Sequence, residues 1–369
     1  MFSEYSDNLG LIASVLGIFG AGVATHSFLN SRKTDHLKQE LEQYKEEIDR
    51  LSSNLEAESG ATQDSFTQSS EVWLKNNKNP VTFPDYASRK HKYSIPTIVI
   101  SNLKGGVGKT TVSTNLATTI ASKGKRVLFL DLDWQGSATR AFSTLGRLTE
   151  RRSDIDQVFA ETANGILIKS LARTGYDLPQ GLSFVPTYKQ FAAKENECMI
   201  KWLKGSYEFD AHYLLSKALL DPVIHEEYDA IVIDTPPRIT TGLVNALTCA
   251  THLIIPTILD DISAEAAESY ISSIERFKVY NSSLRISKII GCMTYNGTKL
   301  NQTEENARKS IIRRAKSENL QTNTLIANQW IPRRSAIQQA AGNHLAVMRN
   351  KEIREIFDNI YQELDLFPQ

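Results

Sequence analysis

The chain has 369 residues, with 42 Lys and Arg against 42 Asp and Glu, and is 41% hydrophobic and 23% charged. That composition excludes a disordered or collagen-like chain, and a formal net charge of zero means that bulk charge nominates no partner. The length accommodates one large α/β domain with an appendage, and Cys198, Cys249 and Cys292 lie too far apart for metal-type spacing, so they read as buried thiols in a reducing compartment.

After a short N-terminus (residues 1–8), Leu9 to Leu29 carries no formal charge and is long enough to cross a hydrocarbon core as a helix. Gly17 with Ala21, and Gly20 with Ala24, give small-xxx-small spacings that suit pairing of two such helices. Glu4 and Asp7 precede the segment, and Arg32 and Lys33 follow it. The positive-inside rule therefore predicts a single-pass cell-membrane protein with the rest of the chain in the cytoplasm. In residues 30–58, Leu37, Leu41, Tyr44, Ile48, Leu51 and Leu55 alternate four and three apart, a heptad stripe that predicts a short parallel coiled-coil stalk. Residues 59–92 are rich in Ser, Thr, Gln and Asn and are expected to be a flexible tether.

From residue 93 to 369 the pattern becomes apolar strands alternating with amphipathic helices. The runs TIVIS, RVLFLDLD, LSFVP, DAIVIDTPP, HLIIPTI and KIIGCMTY predict a doubly wound, mostly parallel sheet covered on both faces. The first strand leads into KGGVGKTT, which opens a helix. Glycines let backbone N–H groups turn inward around phosphate oxygens, and the helix N-terminus adds the positive end of its dipole. Gly105, Gly106, Val107, Gly108, Lys109, Thr110 and Thr111 are thus the candidate phosphate cradle. Lys109 is positioned for the β- and γ-phosphates, and the Thr110 hydroxyl suits Mg²⁺. Asp131, Asp133 and Asp234 stand at strand ends, where carboxylates serve a metal or a water.

These segments resemble the ParA/MinD family of deviant Walker A P-loop ATPases. KGGVGKTT is similar to the deviant loop, DLDWQGSAT to the second motif, DAIVIDTPP to the Walker B region, and WIPRRSAIQQAAGN to a late loop that lies against the nucleotide base. The likeness spans roughly residues 95–345 and looks nearest the partitioning branch. Trp134 stands where that branch usually has proline, and Thr235 where it usually has cysteine. The resemblance implies ATP and Mg²⁺ as ligands, a homodimer formed on ATP binding, and a protein activator of hydrolysis. It implies that Lys104 reaches the partner's ATP phosphates, that Asp133 orients the attacking water, that Thr110 and Asp234 hold Mg²⁺, and that Pro332 and Arg333 contact the base. It also raises nonspecific DNA binding, for which Arg308, Lys309, Arg313, Arg314 and Lys316 are candidates. Two other readings stand beside it. One is a membrane-anchored bacterial tyrosine autokinase, although the tail carries only Tyr361. The other is a nucleotide-binding scaffold without turnover. No cysteine falls where an iron–sulfur relative would need a cluster ligand.

Overall fold

The structure is a computed structural model that describes residues 73, 79–148, 153–296, 299–317, 330–335, 337 and 345–367. The chain divides into two compact units, Met1–Lys78 and Asn79–Gln369. The expected membrane span at 9–29, the stalk at 30–58 and most of the tether lie outside the described residues. Among the described residues, no helix is long and apolar enough to cross a membrane.

The second unit is built on one parallel sheet. Its strands are β1 (Thr97–Ile100), β2 (Val127–Asp131), β3 (Leu182–Val185), β4 (Ala230–Asp234), β5 (His252–Ile258), β6 (Ile286–Thr294) and β7 (Ile331–Pro332), in the order β3-β2-β4-β1-β5-β6-β7. Every strand pair in the ladder is parallel. The six strands predicted from apolar runs are all present. Their Val, Ile and Leu side chains are buried on both faces, which suits a sheet covered on two sides.

The helices of eight residues or more are α1 (Tyr86–Tyr93), α2 (Lys109–Ser122), α3 (Ser137–Gly146), α4 (Gln190–Leu203), α5 (Thr241–Cys249), α6 (Asp261–Phe277), α7 (Gln302–Ser317) and α8 (Lys351–Leu364). α2 is buried along almost its whole length, from Val112 to Ala121. α8 covers it with Ile353, Ile356, Phe357, Ile360 and Leu364, one apolar stripe at helical spacing. Burial of each such side chain is worth about 1.5–3 kcal/mol. Asn115 ties the C-terminal region to α2 by accepting from the Val347 amide at 3.0 Å. Tyr361 lies on α8 and packs against this core, so the lone tyrosine of the tail belongs to the fold.

The folded unit begins earlier than the sequence suggests. Residues 79–92, read as the end of the tether, pack on the domain. The Val81 amide donates to Asp210 at 2.6 Å, and the Asp210 amide returns a bond to the Val81 carbonyl at 2.8 Å. Phe83 is buried edge-on against Tyr86 and Phe209, and α1 follows directly. The polar composition of this stretch hides two aromatic anchors, Phe83 and Tyr86.

β1 lies at the centre of the sheet. From it the chain runs first to one side (β2, β3, β4) and then to the other (β5, β6, β7). A reversal of this kind opens a crevice outside the carboxyl ends of the strands, where ligands of doubly wound sheets bind.

Candidate functional site

The loop between β1 and α2 occupies that crevice. Asn102, which sequence reasoning did not single out, fixes its base: the side-chain amide donates to the Pro256 carbonyl at 2.8 Å and its oxygen accepts from the Lys104 amide at 3.0 Å. Gly106 and Gly108 adopt φ of 74° and 97°, backbone that only glycine enters without strain. A Cβ on Gly108 would also meet the Cys292 sulfur at 3.3 Å. Gly108 caps α2 without a side chain, so the first-turn N–H groups of Lys109, Thr110 and Thr111 remain free to bind anions.

Lys109 is buried and turns back into the loop, donating to the Lys104 carbonyl at 2.8 Å. It therefore lies inside the hollow that phosphate oxygens would fill. Burial pulls its ammonium below the usual lysine range, against the charges of Asp234 and Asp133. Lys104 points elsewhere, toward the start of α6, where its ammonium donates to the Ser263 hydroxyl at 2.6 Å. The two lysines of the loop thus have different environments.

The strand ends bring three carboxylates together. Asp131 and Asp234 are direct partners in the β2–β4 register, and both are fully buried. Burial and the adjacent Asp234 push the Asp131 carboxyl well above the ordinary range. Its oxygens are committed to the loop after β2: Oδ2 accepts from the Thr139 amide and hydroxyl at 2.9 and 2.7 Å, and Oδ1 from the Asp133 amide at 3.1 Å. Asp131 thus supports the loop. Asp133 heads that loop, half-exposed, with its Oδ1 accepting from the Gln135 amide at 3.0 Å.

Asp234 is differently placed. Its Oδ2 accepts the Thr110 hydroxyl at 2.7 Å, and its Oδ1 is buried without a hydrogen-bond partner. Burial pushes its carboxyl up to about 7, with Asp133 adding to the rise, while the Thr110 hydroxyl and the Lys109 charge hold it down. An orphaned carboxylate oxygen beside a hydroxyl is a suitable pair of hard oxygen donors for Mg²⁺, the remaining positions falling to phosphate and water. Among the described residues no cluster of three His, Cys, Asp or Glu could hold a metal by itself.

Pro332 and Arg333 lie on the far side of β1, at β7. The Arg333 amide donates to the Thr294 carbonyl at 2.9 Å, which holds this segment against β6. Three strand spacings of about 4.8 Å separate β7 from β1, roughly 14 Å. Of the cysteines, Cys249 and Cys292 are pushed up to about 12 by burial, and all three are free thiols. They are inert by the thiolate criterion.

A family model described as "AAA domain" matches residues 95–286, which include the loop, both aspartate motifs and strands β1 to β5. The chain belongs to this family, as a ParA-like P-loop ATPase. It is 31% identical over 199 residues to the sporulation initiation inhibitor protein Soj of Bacillus subtilis, covering 52% of this chain and 70% of that protein. It is 32% identical over 205 residues to the chromosome-partitioning ATPase Soj of Thermus thermophilus, covering 55% and 71%. Among solved structures, apo McdA of Cyanothece matches with a TM-score of 0.60 at 18% identity, covering 73% of this chain and 99% of that one. That last likeness is one of fold.

Proposed function

We propose that this chain is a membrane-tethered, ParA-like ATPase that acts as a nucleotide-dependent dimer switch, closing on Mg-ATP and opening after hydrolysis to recruit, position or release a partner. The observation that carries the reading is the division of labour within one loop. Lys109 lies inside the phosphate hollow, whereas Lys104 is directed out of it. A cation outside its own hollow is useful where a second head presents a triphosphate.

In this reading, the N–H groups of residues 105–111 and Lys109 grip the β- and γ-phosphates. Thr110 and Asp234 hold the magnesium ion, which neutralises charge bridging those phosphates. Asp133 orients the attacking water, and Lys104 of the second protomer supplies positive charge at the leaving group. Exposed apolar side chains on the same edge of the sheet support a second head as cover: Ile262 is 74% exposed and Tyr295 is 84% exposed, in the segments following β5 and β6. The segment at residues 9–29 would fix the chain in the membrane. Two tethered heads then meet at high effective concentration, so dimerisation depends little on bulk protein level.

A DNA-binding output rests on α7. Two of its five basic residues are used within the fold: Arg308 pairs with Glu305 at 3.1 Å and lies over the Trp330 ring, and Arg314 donates to Ser272 at 2.9 Å. Lys309, Arg313 and Lys316 are exposed and fall four and three apart, on one face. Such a stripe suits nonspecific phosphate contact, and several relatives are named as chromosome-partitioning proteins.

The testing experiment uses the full chain in lipid nanodiscs, with ATP turnover and DNA retention measured with and without Mg²⁺ across a salt series. Mg²⁺-dependent turnover, with DNA retention that needs ATP and falls steeply with salt, supports the switch with a DNA output. Turnover without DNA retention supports a protein-recruiting switch. Absence of turnover leaves a scaffold and refutes the hydrolase.

A further inference from the structure

The segment that leaves Asp234 is pinned at both ends. At its start the Thr235 hydroxyl donates at 2.9 Å to the carbonyl of Ile100, the last residue of β1. Pro236 and Pro237 then restrict the backbone up to Arg238, whose guanidinium carbon lies 4.9 Å from the ring centroid of Trp134, the neighbour of Asp133. At its far end the segment enters α5, and there it meets Glu195 of α4.

Glu195 is buried. Its Oε1 accepts from the Gly242 amide at 2.9 Å, its carboxyl also bonds the Thr240 hydroxyl, and its main-chain carbonyl accepts from the Thr241 hydroxyl at 2.8 Å. Consecutive residues 240, 241 and 242 are thus tied to one residue of another helix. Thr240 Oγ1 accepts from the Leu243 amide at 3.3 Å, which leaves its own proton for the carboxyl. Gly242 permits the close approach: a Cβ there would lie 2.9 Å from Glu195 Oε1 and 3.3 Å from the Phe191 ring. The start of α5 already has a local cap in Thr240, and burying a carboxyl is costly, so capping alone does not account for Glu195. The positive charge of Arg238 favours its carboxylate and the negative charge of Asp133 opposes it. Glu195 therefore lies within electrostatic reach of the loop after β2 and of the segment after β4.

We propose that Glu195 is a positioning residue for ATP turnover in this chain: from α4 it seats the segment between Asp234 and α5, and so holds the turn that carries Asp133 at a fixed distance from Asp234. The proposal rests on the hydrolase reading above. Asp234 is fixed by the β4 ladder, whereas Asp133 heads a half-exposed turn whose closing bond runs from the Gly136 amide to its own carbonyl at 2.7 Å. The segment spans the gap between them. It starts at Asp234 and reaches the neighbour of Asp133 through Arg238 on Trp134. Glu195 acts only through this segment and exchanges no proton in the reaction. Small displacements of a group that orients a reactant are expensive in rate and cheap in binding.

The test is a double-mutant cycle on the full chain, with Glu195→Ala, Gly242→Ala and the pair, reading steady-state turnover and binding of a non-hydrolysable ATP analogue. Gly242→Ala pushes the carboxyl away from the other side of the contact, and alanine is the better helix former, so a loss of rate there does not come from a weaker α5. Each single variant is expected to lower kcat about tenfold with analogue Kd changed less than about twofold, and the double variant to fall no further than either. Glu195→Gln keeps an acceptor for the Gly242 amide and is expected to recover most of the rate. Should Glu195→Ala fail to fold, Glu195→Asp, one methylene too short for that amide, takes its place in the cycle. A kcat left intact by both single variants, losses that multiply in the double variant, or a loss confined to analogue binding overturns the proposal while the hydrolase reading stands. A wild-type chain without turnover overturns both.

Discussion

Lys104 donates its ammonium to the Ser263 hydroxyl at 2.6 Å and lies 3.8 Å from the Asp260 carboxylate, both at the start of α6 in its own chain. The lysine that the family resemblance assigns to a partner's triphosphate is therefore parked within its own protomer. The pair is partly exposed, so its release costs little: exposed ion pairs contribute about 0.2–1 kcal/mol.

Weakening that parking is expected to favour the closed dimer. Asp260 also caps α6, accepting from the Ser263 amide at 2.7 Å, and asparagine caps as well as aspartate does. Asp260→Asn should thus leave thermal stability within about 0.5 kcal/mol while raising turnover measured without activator by about two- to fivefold. Melting curves and steady-state rates check both halves.

Asp234 trades stability for chemistry. Two buried carboxylates in register repel, and one Asp234 oxygen is orphaned. Asp234→Asn is expected to raise the stability of the nucleotide-free chain by about 1 kcal/mol and to lower Mg²⁺-dependent turnover by about a hundredfold or more. A differential scanning measurement alongside the ATPase assay separates the two effects.

Thr139 is expected to matter through the loop that it supports. Its hydroxyl donates to Asp131 at 2.7 Å and accepts from the Thr187 amide at 3.0 Å. Thr139→Val keeps the shape and removes both bonds, leaving a buried amide and a carboxylate under-satisfied. The expected cost is about 2–4 kcal/mol, read as a drop in melting temperature.

Glu195 on α4 gives a pH dependence. Burial pushes its carboxyl up from 4.5 to about 7, against the bonds from Thr240 and the Gly242 amide and the charge of Arg238, with Asp133 adding to the rise. A raised carboxyl means that the folded state holds its proton longer than the unfolded state. The stabilising contribution is complete below about 4.5 and is lost as pH rises through about 7. Glu195→Gln should flatten this fall, so that wild type and variant differ in the pH dependence of unfolding between those two values and not below them.

Much of the site was legible because its chemistry is local. The loop from Lys104 to Thr111 is contiguous, and Asp131, Asp133 and Asp234 end apolar runs that read as strands. The strands themselves were legible because Ile, Val and Leu fill both faces of a covered sheet. β7 was not, since a strand of two residues, Ile331–Pro332, has no period. The roles of Asn102, Ser263 and Asp260 were not legible either. Each depends on a contact with a segment more than 150 residues away, Asn102 with Pro256 and Lys104 with Ser263. Asp131 and Asp133 look alike in DLDW, and only the bonds from Thr139 show that the first is consumed by the loop. Residues 79–92 read as tether because two aromatic anchors, Phe83 and Tyr86, are diluted by polar neighbours.

The most direct test of the central claim is complementation between Lys104→Ala and Asp133→Ala chains. In a mixed dimer, one site combines an intact Asp133 with the Lys104 of the partner, and the other site lacks both. If Lys104 acts across the dimer, two inactive variants mixed equally should recover about a quarter of wild-type turnover per chain. If the mixture stays as inactive as its parts while each variant still binds ATP, Lys104 does not work in trans and the dimer switch is wrong.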